Sequence, residues 1–315
     1  MVDASTRALL LKALTAPPAE DEGHWREWRA SIRIDELDGD ALRMLPLLSE
    51  RLPQWLADDP ARGLILGICK RAWSRNQIQL SRLAAVIALL REARIDPVVI
   101  TGSAAWSFRH QPAIRLVEAL EILIRREQLR DAAETLARNG WAAAREIPAG
   151  DELDRIEGLW FRGGDDHLKL SWRLLPGSPE IAGDCERLPR LTASGIAGAD
   201  LLPDEEMLLH ALAGYRDEQE IDWRCDALLL IGPRKVDWRR MQRLLRDAPQ
   251  AHVRLRELRE QWGCAIPVIP QTPTRFEKLW DDYRWRAWER GRKRSTAGFV
   301  GYLCERWWNV FVRSR

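Results

Sequence analysis

Cysteine is scarce in this chain and is not spaced for pairing. The five residues, at 69, 185, 225, 264 and 304, are odd in number and include no CxxC. Neither a thiolate zinc site nor a disulfide framework is therefore indicated, and a reducing cytoplasm fits. The five histidines form no HxH or HxxxH pair, which removes the usual helical or strand spacing of a histidine metal site. No run of 18 apolar residues occurs, so no transmembrane segment is expected. The opening stretch MVDASTRALLLKALTAPPAEDE lacks the basic start and long apolar run of a secretory leader. Charge of one sign is also missing. The formal net charge is only +2, so no overall field for nucleic acid is implied.

Tryptophan is plentiful instead, at 16 residues against 3 Tyr and 5 Phe. Many of these Trp lie beside arginine, as in HWREWR (24–29) and YRWRAWERGRKR (283–294). This pattern suits amphipathic helices that bury the indole and let arginine reach over it to water. From Arg275 to Arg315 there are 11 Lys/Arg against 5 Asp/Glu, mixed with aromatics. A solvated helical pair, a partner protein or peptide, and an anionic lipid or single-stranded surface all remain open for that segment.

Hydropathy patterning divides the chain into four regions. Residues 1–95 read as helices, the longest being LILGICKRAWSRNQIQLSRLAAVIALLREARI, which ends before Asp96-Pro97. Residues 96–180 read as a small mixed centre. PVVIT is a short β-branched strand, and RLVEALEILI is a strand with a short helix as the competing reading. REQLRDAAETLARNG is a helix closed by Gly140. RIEGLWFRGGDDHLKLSWRLL is a hairpin turning at Gly163-Gly164-Asp165-Asp166, with both aspartates in a solvated turn. Residues 181–265 return to helix from about 200, and 266–315 form a Pro-rich linker and the basic, Trp-rich helices. The fold class is α+β, with a small mixed sheet flanked by helical N- and C-terminal regions.

Side chains two apart on a strand share a face. Val117, Ala119, Glu121 and Leu123 therefore lie together, while Glu118 falls on the opposite face with Leu116, Leu120 and Ile122. If strands 116–124 and 167–172 adjoin, His167, Lys169 and Ser171 form a face that meets Glu121, and Glu121 is expected to pair with Lys169. Trp141, Trp172 and His210 read as core or helix-packing residues, and Asp226 and Asp237 as parts of structural helices.

The order of these elements resembles an uncharacterised bacterial nucleotidyltransferase family of the polymerase-β superfamily, over about residues 25–250. The matching pieces are Arg75-Asn76 on the approach helix, Ile100-Thr101-Gly102 with Ser103, the strand opened by Arg115, and Gly140-Trp141. They continue through Lys169-Leu170-Ser171-Trp172, LLPDEEMLLH (201–210), Trp223 to Asp226, and Asp237-Trp238. The resemblance implies a minimal nucleotidyltransferase sheet and transfer of a nucleotidyl group from an NTP, with Mg²⁺ held by three carboxylates. It implies nucleotide contacts at Gly102, Ser103, Thr101, Arg115 and Ser171. Catalytic or metal roles fall to Glu121, with Glu118 and Lys169 beside it.

The chain departs from the family pattern where metal and phosphate would bind. Ala119 and Glu121 stand for the two alternating aspartates, Lys169 for the third carboxylate, Ser171 for a histidine and Thr101 for a lysine. The expected function is a nucleotidyltransferase-like protein that has lost metal-dependent transfer and binds a ligand, peptide or protein. The alternatives are an active enzyme that moves an NMP from an NTP through Glu121 and Mg²⁺, and a scaffold that acts through its Trp/Arg-rich helices. A carboxylate from Asp151, Glu152 or Asp154 could also serve the active form.

Overall fold

The computed structural model describes residues 4–15, 21–51, 58–101, 115–117, 119–154, 156, 158–175, 191–192, 199–213, 220–231, 236–245, 248–262, 264 and 266. Gly102, Ser103, Glu118 and the basic, Trp-rich segment 267–315 lie outside these residues.

Among the described residues, helices α1 (Ala4–Thr15), α2 (Asp21–Ser31), α3 (Gly39–Arg51) and α4 (Arg62–Glu92) come first. Strands β1 (Val98–Val99) and β2 (Leu120–Leu123), helix α5 (Leu129–Arg138) and β3 (Ala142–Ala143) follow. The hairpin β4 (Gly158–Gly163) and β5 (Asp166–Ser171) comes next, then the short strands β6 (Leu191–Thr192) and β7 (Asp200–Leu201). Helices α6 (Asp204–Ala213), α7 (Glu220–Ile231), α8 (Trp238–Leu245) and α9 (Pro249–Trp262) complete the fold. The sheet runs β3-β4-β5-β2-β1-β7-β6. The β2–β5 and β1–β7 pairs are parallel and the others antiparallel. The class is α+β, as expected from the sequence.

Helix α4 buries Ile65, Ala72, Asn76, Gln79, Leu83, Val86, Ile87 and Leu90, one stripe at helical spacing. Its end is a Schellman motif. Arg94 takes φ 61, its N–H reaches Arg91 O at 2.9 Å, and Ile95 N–H reaches Leu90 O at 2.9 Å. Ile95 and Leu90 are both buried, the apolar contact that accompanies this motif. Asp96-Pro97 then leads directly into β1.

The hairpin turns more tightly than the sequence suggested. Gly163 pairs with Asp166, so only Gly164 and Asp165 span the turn, with Gly164 at φ +63. That places glycine at the first central position, which a type II′ turn requires. Asp166 is not solvated, which corrects the expectation. It is buried and accepts a hydrogen bond from Gln79 Nε2 at 3.0 Å and an ion pair from Arg82, both on α4. The carboxylate therefore ties the hairpin tip to the long helix.

The pairing of tryptophan with arginine follows the expectation only in part: Trp73 on α4 is exposed, and Arg254 is itself buried rather than reaching water. Trp25 and Trp28 are buried, and Arg29 lies 5.9 Å from the Trp25 ring centre while holding Asp59 through two hydrogen bonds of 2.7 and 3.0 Å. Trp223 is buried with the guanidinium of Arg224 at 4.9 Å and that of Arg254 at 4.7 Å from its ring centre. The N- and C-terminal helices meet where α1 and α3 pack on α7.

Candidate functional site

The site forms on the sheet face that is not filled with leucine. On β2 and β5, Leu120, Ile122, Leu168 and Leu170 are buried, while the alternating residues Glu121, Lys169 and His167 are only partly covered or exposed. The parallel register puts Glu121 opposite Lys169 and Leu123 opposite Ser171. On the next strand, Trp160 stands opposite Lys169 and Gly158 opposite Ser171.

This register carries a compact polar cluster. Lys169 Nζ lies 2.8 Å from Glu121 Oε1, with the two side chains 16% and 19% exposed. Ser171 Oγ donates to the same oxygen at 3.2 Å. Thr101 fixes the backbone beneath. Its hydroxyl accepts from Glu121 N–H at 2.6 Å and donates to Glu121 O at 3.2 Å. Gly158 leaves room for the arrangement, since a Cβ there would come within 2.8 Å of Ser171 Oγ and 3.2 Å of Lys169 Cε.

The electrostatics follow from these contacts. Burial pushes the Glu121 carboxyl up, but the Lys169 ammonium, the nearby His210 and the hydrogen bonds from Lys169 and Ser171 outweigh it. The carboxyl is held below its ordinary range. His210, on α6, is half-buried and reaches the field of Glu121 rather than serving only as packing. Sequence reading missed this. The signal was present in LLPDEEMLLH, where the histidine ends the turn that the family resemblance aligned.

A divalent cation does not fit the described residues. Mg²⁺ seeks oxygen ligands in near-octahedral geometry. Among the described residues Glu121 brings the one carboxylate at the cluster, and its Oε1 already faces an ammonium and a hydroxyl. Among the described residues no group of three His, Cys, Asp or Glu converges. Of the loop carboxylates, Glu152 is exposed and lies 3.4 Å from Arg145.

The family model for uncharacterised nucleotidyltransferases matches residues 40–253, more than half of the chain. The chain belongs to this nucleotidyltransferase family. Among solved structures, the antibiotic-resistance factor ANT(2'')-Ia matches at 16% identity, with 60% of this chain and 95% of that chain covered and a TM-score of 0.37. No curated protein matches significantly.

In this nucleotidyltransferase family member the remaining sequence candidates take the following places. Arg115 is buried, with Nε 3.0 Å from Asp226 Oδ1 on α7. Asn76 holds the backbone around it, donating to Arg115 O at 2.7 Å and accepting from Val117 N–H at 2.9 Å. Asp237 caps α8, accepting from Arg239 N–H at 3.0 Å and Arg240 N–H at 3.2 Å. Trp172 is buried and donates from Nε1 to Leu153 O at 3.1 Å. Trp141 packs on the core edge against Gly163. The structure thus brings Glu121, Lys169, Ser171 and Thr101 together and sets Arg115 apart in a buried ion pair with Asp226. No helix among the described residues is long and apolar enough to cross a membrane.

Proposed function

We propose that this nucleotidyltransferase family member is catalytically degenerate and works as a binding module for a ligand, peptide or protein. One observation carries the reading. Lys169, which stands where the family pattern has its third carboxylate, places its ammonium 2.8 Å from Glu121. A tethered cation thus occupies the ground beside the carboxylate that a metal would need. Such a pair leaves no buried charge uncompensated, and it presents little net charge to a triphosphate and its cation. Ser171 and Thr101 complete the neutralised cluster and leave Glu121 little freedom to turn toward another ligand.

A second reading, an active transferase that uses Glu121 and Mg²⁺ to move an NMP from an NTP, rests on a different observation. The Glu121 carboxyl is held below its ordinary range and so stays ionised at neutral pH.

Calorimetric titration of each NTP, with and without Mg²⁺, separates the two. The degenerate reading expects no Mg²⁺-dependent heat from the wild-type chain. It also expects Mg²⁺-dependent binding to appear when Ala119→Asp and Lys169→Asp are made together. Metal-dependent NTP binding by the wild type, abolished by Glu121→Ala, would establish the active reading instead.

A further inference from the structure

The strongest unassigned feature is the open end of the sheet face that carries Glu121. Register sets Glu121, Lys169 and Trp160 in one row across β2, β5 and β4. Cover falls away along this row. The Glu121 and Lys169 side chains are 19% and 16% exposed, whereas Trp160 is 45% exposed. Arg162 and His167 stand opposite each other in the neighbouring row, on the same side of the sheet, and both are exposed. Trp160 is thus a large apolar side chain beside the polar cluster, not one on a remote surface.

The neighbours of this indole are small or turned away. Gly158, two positions back on β4, has no side chain. Ala144, whose N–H donates to Trp160 O at 2.8 Å, carries only a methyl group. Lys169, directly opposite, sends its ammonium to Glu121 at 2.8 Å. Trp25 has Trp28 and Arg29 against it, and Trp223 has two guanidiniums, but Trp160 has no ring or cation partner. The face of its indole is therefore open for stacking.

Charge beside the indole is one-sided. Arg162 spends its Nε–H on Gly164 O at 3.0 Å and makes no ion pair with any described residue. His167 makes neither a hydrogen bond nor an ion pair among them. The rest of the guanidinium fork and an imidazole therefore remain for a ligand. Glu121, the one carboxylate that β2, β4 and β5 bring to this face among the described residues, is already matched by Lys169. The excess charge next to Trp160 is positive.

We propose that this end of the site binds a small aryl anion, an aromatic ring that carries a phosphate or carboxylate. The ring stacks on Trp160, and Arg162 holds the anion with His167 beside it. Trp160 and Arg162 are two positions apart on β4, about 7 Å, which the arginine side chain spans to reach a group on a stacked ring. This ligand class rests on the metal-free binding role proposed above and narrows it. The Glu121–Lys169 pair closes the inner end of the row and leaves the anion to the outer cations. A nucleic-acid strand fits less well, because one indole alone stands on this face among the described residues and the chain's net charge is only +2.

The test uses the full-length protein labelled with fluorotryptophan, in EDTA, followed by fluorine NMR. The Trp160 resonance is the one that Trp160→Phe removes. Phenyl phosphate is expected to move this resonance saturably. Inorganic phosphate and phenol, each carrying half of the recognised group, should need about tenfold higher concentration. Arg162→Ala should weaken phenyl phosphate binding about tenfold, and Arg162→Lys should restore part of it. Circular dichroism and Tm of these variants should match the wild type, because both side chains are exposed. A Trp160 resonance that stays still up to about 10 mM phenyl phosphate, or that moves equally in Arg162→Ala, overturns the inference. Oligothymidylate that moves it at far lower concentration than phenyl phosphate also overturns it, in favour of a nucleic-acid strand. No nucleotide or Mg²⁺ is present, so the outcome is separate from the NTP titration. A still Trp160 together with no Mg²⁺-dependent NTP heat removes the aryl anion and leaves the loss of transfer standing.

Discussion

Asn76 clamps the backbone of Arg115. Its Nδ2 donates to Arg115 O at 2.7 Å, and its Oδ1 accepts from Val117 N–H at 2.9 Å. One fully buried amide on α4 therefore satisfies two backbone groups on the way into β2, and it also fixes where the Arg115 guanidinium starts toward Asp226. Replacing Asn76 by alanine removes both of these buried hydrogen bonds. The expected cost is about 3 kcal/mol. Thermal unfolding followed by circular dichroism should show Tm falling by roughly 4–6 °C.

The Glu121–Lys169 pair should behave as a coupled unit. Glu121→Gln and Lys169→Met each leave a largely buried charge facing a neutral group, at a cost of about 3 kcal/mol each. The double variant should cost clearly less than the sum, with a coupling energy of about 1–3 kcal/mol in a denaturant double-mutant cycle. Because the Glu121 carboxyl is depressed on folding, its contribution is full above the ordinary carboxylate range and is lost as pH falls through the depressed value. The coupling should therefore disappear on the acid side. Coupling of equal size at neutral and strongly acid pH would show that the pair is not electrostatic.

Glu206 is expected to show the opposite sign. Burial raises its carboxyl above the ordinary range against the pull of Arg240, and its Oε2 is buried without a hydrogen-bond partner. A carboxyl that favours its proton in the folded state lowers stability as pH rises from the ordinary value through the raised one. Glu206→Gln keeps a group for Arg240 and removes the titration. Its Tm relative to wild type should climb between pH 4 and pH 8. A flat or falling difference would contradict the raised carboxyl.

How far the sequence revealed these features depended on how local each was. Helix α4 was legible because its buried residues repeat at helical spacing, and Asp96-Pro97 marked its end. The β4–β5 hairpin was legible because Leu159, Phe161, Leu168 and Leu170 alternate with polar neighbours across a glycine turn. Glu121 and Lys169 could be placed face to face because strand period fixes which side chains share a side. The two-residue strands β3, β6 and β7 were not legible, since so short a segment has no period and becomes a strand only through its neighbour. Asp166 was misjudged for a related reason. Its partners Gln79 and Arg82 come from a helix more than 80 positions earlier, which no local pattern of Gly and Asp can report. His210 acts on the Glu121 carboxyl from 89 positions further along the chain, a relation no local pattern can report.

The parallel ladder between β2 and β5 spans only four residue pairs, from Leu120–Leu168 to Leu123–Ser171. So short a ladder has little to stop it sliding, yet sliding by one residue turns a strand's side chains to the opposite face. Moved one place along, Lys169 would drive its ammonium into the leucine layer and strand Glu121 opposite an apolar neighbour. The ion pair at the middle of the ladder thus acts as a key that admits one alignment.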